Sequence, residues 1–185
     1  MSSLEAAVGM LSSRSSSMIA PSYLSSYATG NPGPSAVGGL IRDSQCQWIQ
    51  GYSSFIGFGT ALKAEIWTII SGFKLAKSLN YDHILVESDS MLAINLIKKD
   101  DVHPNHHLNN LLLYCRSTLL TFTEVQLSHT SREGNSCADL LAKTALMDRS
   151  CMKTFHSVPS FVRMAFLADL HGISFDRKVP TAAVI

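Results

Sequence analysis

Three features of the chain predict an α/β fold class. Two apolar, strand-like segments separated by a short polar turn come first, between residues 36 and 56. Helical and strand periodicities then alternate along the chain. The later strands are also separated by helical sequence, so crossovers join them and they pair partly in parallel, while the opening hairpin supplies an antiparallel edge. With 185 residues, 46% apolar and 16% charged, the chain can bury a core for one domain with some tail to spare. That composition excludes wholesale disorder.

Residues 1–29 read as a leader and are expected to be disordered. The first 30 residues hold ten serines and only two charges, Glu5 and Arg14. No basic start precedes a long apolar run, which argues against a secretory signal; a Ser-rich organelle transit peptide is the alternative to a plain leader. Gly30-Asn31-Pro32-Gly33-Pro34 is a dense cluster of turn formers. Ala36 to Ile41 is short, apolar and Gly-containing, as in a buried strand. Arg42-Asp43-Ser44-Gln45 makes the turn, and Gln47 to Ile56 returns as a strand with a bulge expected at Gly51. Its aromatics, like Trp67, are read as packing groups with base stacking as the lesser alternative.

The clearest helix follows. Leu62, Ile66, Ile69, Phe73 and Ala76 recur at helical spacing, and Asn80 suits its end. His83 to Val86 is an apolar strand. Ser88-Asp89-Ser90 offers capping side chains before a helix carrying Met91, Leu92, Ile94, Leu96 and Ile97. His106 to Leu119 reads as a further helix, on which the neighbouring His106 and His107 should point apart. Val125 and Leu127 alternate with Gln126 and Ser128 as in a strand. Asn135 is placed to cap a last core helix with Ala138, Leu141, Ala142 and Ala145 inward. Residues 148–185 are set apart as a tail, with an amphipathic piece from Phe161 to Leu170.

A formal net charge of +1 argues against a polybasic tail, though not against a local basic groove. Cys46, Cys115, Cys137 and Cys151 form no CxxC pair, so four reduced thiols in an intracellular protein are expected. The nucleus or cytoplasm is then the expected compartment, with an organelle as the alternative. No apolar run approaches the ~20 residues a membrane span needs.

Acids are scarce, 14 of 185 residues, and three stand in unusual places. Glu65 borders the buried stripe of the main helix. Asp89 follows the carboxyl end of a buried strand, where sites in open α/β sheets gather. Asp139 lies in the first turn of the last helix. Singly, each has a structural reading: Glu65 and Asp139 complement a helix dipole, and Asp89 caps a helix. Together, they could be ligands of a hard cation such as Mg²⁺, and two such ions would clamp the attacking and leaving oxygens of a phosphodiester.

Four stretches sharpen this reading: GNPGPSAVGGLIRD at 30–43, LKAEIW at 62–67, LVESDS at 85–90 and SHTSREGNSCADLLAK at 128–143. Residues 30–147 resemble a type 1 ribonuclease H domain, and more closely the retrotransposon-derived, reverse-transcriptase-like ribonuclease H domains of plants. PSFVRMAFLADLHG at 159–172 is similar to the segment that follows that domain. The resemblance implies a five-stranded mixed sheet with helices on both faces. It implies hydrolysis of the RNA strand of an RNA–DNA hybrid with two Mg²⁺ or Mn²⁺ ions. Apart from the resemblance, the short apolar runs predict no membrane attachment, and a monomer is expected. The resemblance assigns metal ligation to Glu65, Asp89 and Asp139, assistance in water activation or product release to His129, and a hybrid contact near the minor groove to Asn31. Arg132 in the last motif is expected at a phosphate, with simple surface solvation as the equal alternative.

One departure stands out. The family's first metal ligand is an Asp in an Asp-Gly pair, five residues before the Gly of GNPGP. Here that position is Ser25, followed by Ser26. Pro21 also disfavours a central strand just before it. The first strand is therefore expected to be degenerate or exchanged for the leader, and hydrolysis to be impaired. A catalytically inactive nucleic-acid-binding module, or a chain that folds poorly, are the other readings.

Overall fold

The computed structural model describes residues 20–99, 103–131 and 135–171. In chain order the elements are β1 (Ala20–Ala28), β2 (Gly33–Arg42), β3 (Trp48–Gly59), α1 (Ala61–Ser78), β4 (His83–Ser88), α2 (Met91–Lys98), α3 (Asn109–Leu119), β5 (Glu124–His129), α4 (Ser136–Asp148), β6 (Lys153–Phe155) and α5 (Arg163–Leu170). The six strands form one mixed sheet in the order β5-β4-β1-β2-β3-β6. The β1–β4 and β4–β5 pairs are parallel, and the remaining pairs are antiparallel.

The α/β class, the expected hairpin and the alternation of strands and helices are all present. Three expectations need correction. First, residues 20–28 of the expected leader are β1, the strand between β4 and β2. Pro21 is tolerated because it stands second in the strand, before the ladder to β2 begins at Ser22. Second, the sheet has six strands and not five, because residues 153–155 of the expected tail add β6 to the edge of β3. Third, the bulges of the hairpin fall at Ser35/Ala36 and Ile41/Arg42 against β3, not at Gly51. Gly51 instead seats the Trp48 indole, whose ring lies where a Cβ would stand. The leader residues 1–19 lie outside the described residues.

Helices cover both faces of the sheet. Leu24 of β1, with Tyr52 and Ile66, Ile69 and Phe73 of α1, belongs to the larger core cluster, and the apolar stripe read from the sequence is the face α1 buries. Thr60 starts α1, accepting from the Lys63 N–H at 3.2 Å, and Asn80 beyond its end takes the left-handed conformation. On the opposite face α4 packs so tightly on Gly38 that a Cβ there would lie 2.4 Å from the Ala142 amide nitrogen. Ala138, Leu141, Leu40, Val162 and Phe166 form the second core cluster, which ties α5 to the sheet through α4.

The helix expected from His106 begins at Asn109, so the two histidines precede it and their rings lie 4.6 Å apart rather than pointing away from each other. All four cysteines are free, Cys46 and Cys151 exposed, Cys115 and Cys137 buried. Among the described residues no helix is long and apolar enough to cross a membrane.

Candidate functional site

At the carboxyl end of β4 the chain leaves the sheet through Asp89, and Ser90 caps α2 by accepting from the Ala93 N–H at 3.3 Å. Capping thus falls to Ser90, and the half-buried Asp89 lines the space beside it. β5 runs parallel to β4 and ends level with it, Ser88 opposite His129. The first turns of α1 come in from the third side with Glu65, half-buried as its border position predicts. The turn after β1 closes the fourth side. There Asn31 Oδ1 accepts from the Ala61 N–H at 3.1 Å, which pins the turn to the start of α1.

These elements enclose an open cavity of about 530 Å³. Asn31, Glu65, Asp89 and His129, four of the six residues singled out in the sequence, line it. Asp139 is not among its lining side chains; it lies on α4 and pairs with Lys143, Nζ to Oδ2 at 2.7 Å. That contact is the (i, i+4) pair of a helix surface. Arg132 lies outside the described residues.

β1 reaches the site with serines. Ser26 is 7% exposed and its hydroxyl donates to Glu65 Oε1 at 2.8 Å. Ser25 is 3% exposed, and among the described residues its hydroxyl reaches only the Ser26 carbonyl, at 3.5 Å. The strand is tethered on both sides: Thr68 Oγ1 donates to the Ser25 carbonyl at 3.4 Å, and Asn135 Nδ2 donates to the Leu24 carbonyl. Asn135 therefore does not cap α4 as expected. It stands at the N-cap position without a side-chain capping bond and spends its amide on β1.

A two-cation centre needs several hard oxygen donors turned to one point, with little else attached to them. Here a serine stands where the first carboxylate belongs, Glu65 already accepts a hydroxyl, and Asp139 faces a lysine. Among the described residues no group of three or more His, Cys, Asp or Glu is placed to hold a metal ion. The residues present do not fit a two-cation centre.

A second open cavity, about 580 Å³, flanks the other side of the α1 N-terminus and is lined by Thr60, Lys63, Trp67, His107, Asn110 and Tyr114 among others. The sequence reading missed this groove. Trp67 was read as a packing group, and it does pack against the core while its other side lines the groove. An aromatic and a lysine four residues apart on one helix were the available signal.

A family model described as reverse transcriptase-like matches residues 25–145. An Arabidopsis thaliana protein provisionally named a ribonuclease H protein is 30% identical over 150 residues, 81% of this chain but 24% of that protein, so the chain spans about a quarter of this relative's length. Among solved structures, ribonuclease H1 from the archaeon Halobacterium salinarum superposes with a TM-score of 0.65 at 25% identity, covering 71% of this chain and 98% of that one. LC11 ribonuclease H1, solved in complex with an RNA/DNA hybrid, superposes with a TM-score of 0.64 at 22% identity, covering 70% and 98%.

Proposed function

The chain belongs to the reverse transcriptase-like family and carries a ribonuclease H-like domain; from that premise we propose that it binds RNA–DNA hybrids at the two cavities flanking the α1 N-terminus, with hydrolysis of the RNA strand impaired. The observation that carries the proposal is the end of β1. The central strand is present and correctly paired, yet it brings hydroxyls and no carboxylate to Glu65. The linings of the two cavities support the binding half of this reading. Asn31 and His129 border the first cavity, and Lys63 with Trp67 and Tyr114 offers the second a cation and π-faces suited to a backbone and its bases. Arg132, in the last of the four motifs, supplies a phosphate contact in this reading.

Mg²⁺ or Mn²⁺ is the cofactor class of an active ribonuclease H site. In this chain Glu65, Asp89 and Asp139 remain of that donor set, and loss of one member of a cooperative site typically lowers the rate by orders of magnitude. Hybrid binding is expected at low salt and should weaken as salt rises, because phosphate contacts release counterions. Fluorescence anisotropy with a labelled hybrid across a salt series measures this. Arg132→Ala should weaken binding and flatten the salt slope by about one. Cleavage in Mg²⁺ should run at least about a thousand-fold below that of a Ser25→Asp, Ser26→Gly variant. No binding at low salt, or cleavage by the unmodified protein at the variant's rate, overturns the proposal.

A further inference from the structure

We infer that Ser26, not only Ser25, separates this chain from a cation-binding site, because Ser26 holds the Glu65 carboxylate. The inference deepens the impaired-hydrolysis reading above and rests on it. Neighbouring residues of a strand point to opposite faces of the sheet, and the register of β1 shows which residue faces which helix. Leu24 lies opposite Gly39, and its side chain packs against Gly72 of α1. Ser26, two residues on, shares that face, opposite Val37, and reaches Glu65 of α1. Ser25 lies opposite Gly38, which packs directly against α4, the helix that carries Asp139. Positions 25 and 26 therefore serve different carboxylates.

A hydroxyl donating to a carboxylate is a charge-assisted bond, shorter and stronger than a neutral one. At 2.8 Å, from a hydroxyl on a buried residue to a half-buried one, this bond directs Oε1 of Glu65 at the strand. A carboxylate introduced at position 25 adds an oxygen donor on the α4 side and leaves the Glu65 contact untouched. Removing the Ser26 hydroxyl takes away the donor that Oε1 of Glu65 faces. Each change therefore raises cation affinity and the two together raise it most, and Ser26 is a positioning residue acting through Glu65.

Isothermal titration with Mn²⁺ alone tests the inference on full-length Ser25→Asp, Ser25→Asp with Ser26→Gly, and Ser25→Asp with Ser26→Ala, their folding checked by thermal melts in chelator. Both double variants should bind Mn²⁺ at least about ten-fold more tightly than Ser25→Asp and gain melting temperature with added Mn²⁺ to match. Equal affinity in single and double variants, or no binding by either double variant, overturns the inference. Should Ser25→Asp fail to fold, Ser26→Ala in the otherwise unmodified chain carries the test. Its Mn²⁺ affinity should rise at least about three-fold, and an unchanged affinity overturns the inference. Hybrid binding and cleavage by the unmodified protein do not enter these measurements, so failure here is distinguishable from failure of the functional reading.

Discussion

Arg42 is the most consequential buried charge in the described structure, and its environment makes a graded prediction. Its side chain is 3% exposed; Nη2 donates to Asp169 of α5 and lies 3.7 Å from the Cys137 sulfur. The guanidinium sits between the Tyr23 and Phe166 rings, 4.6 and 4.9 Å from their centroids. Asp169→Ala leaves that cation buried without its partner. Breaking a buried pair from one side costs about 3–5 kcal/mol. Asp169 is itself 27% exposed, so entering water screens part of the loss and about 2–3 kcal/mol is expected. In a chain of this size that lowers the melting temperature by about 6–9 °C. Arg42→Met combined with Asp169→Ala removes the stranded charge and keeps an apolar chain between the two rings. The double variant should therefore be more stable than Asp169→Ala alone. Thermal melts and urea unfolding of the unmodified chain, Arg42→Met, Asp169→Ala and the double variant form a double-mutant cycle. Additive losses, or a loss below about 0.5 kcal/mol for Asp169→Ala, would refute the buried-pair reasoning.

Two further predictions concern the same sheet. Gly38→Ala places a methyl 2.4 Å from the Ala142 nitrogen and 2.6 Å from the Ala138 carbonyl oxygen, both helix backbone that a rotamer change cannot move. It should cost more than about 3 kcal/mol, and a melting temperature within about 2 °C of the unmodified chain would show that α4 yields freely. Burial pushes the Glu87 carboxyl above its ordinary pKa, against the hydrogen bond from Tyr23 and the nearby Arg42, which pull it down. A raised folded-state value means that the group's contribution is present in full below the unfolded-state pKa and is lost as pH rises through the folded one. Glu87→Gln should then be the more stable protein at neutral pH, with its advantage shrinking toward about pH 4. Parallel pH-dependent melts check this, and an advantage that grows on acidification counts against it.

Where the sequence speaks through periodicity, the fold was legible. The α1 stripe of Ile66, Ile69 and Phe73 and the α4 set of Ala138, Leu141 and Ala142 are buried as read. β1 was not legible, because Ala-Pro-Ser-Tyr-Leu-Ser-Ser-Tyr-Ala offers one large aliphatic side chain and a proline. Its place comes from ladders to β2 and β4, and from small residues that let helices approach both faces, which are non-local features. The site was half legible. Motif spacing brought Asn31, Glu65, Asp89 and His129 to one cavity, since each stands at the end of a recognisable element. The pairing of Asp139 with Lys143 had a signal of its own, their (i, i+4) spacing on the expected helix. That Asn135 bonds β1 and leaves α4 without a side-chain cap was hidden, because Asn caps helices well and only tertiary context diverts it.

If hydrolysis is impaired as proposed, the end of β1 explains how the fold outlasts that chemistry. A central strand requires a backbone that pairs on both sides and side chains small enough for the layers above and below. Serines meet both demands: Ser25 and Ser26 are buried, the ladder to β2 runs through them unbroken, and the Ser26 hydroxyl finds a strong acceptor in Glu65. A carboxylate at that position does little for packing, and without a cation it adds the desolvation cost of a buried charge. Replacing it with serine therefore relieves the folded state even as it removes a metal donor. Stability and hydrolysis pull in opposite directions at this one turn of β1, so selection on folding alone favours the serines. A chain retained for holding a hybrid, without cutting it, can carry them at no cost to its sheet.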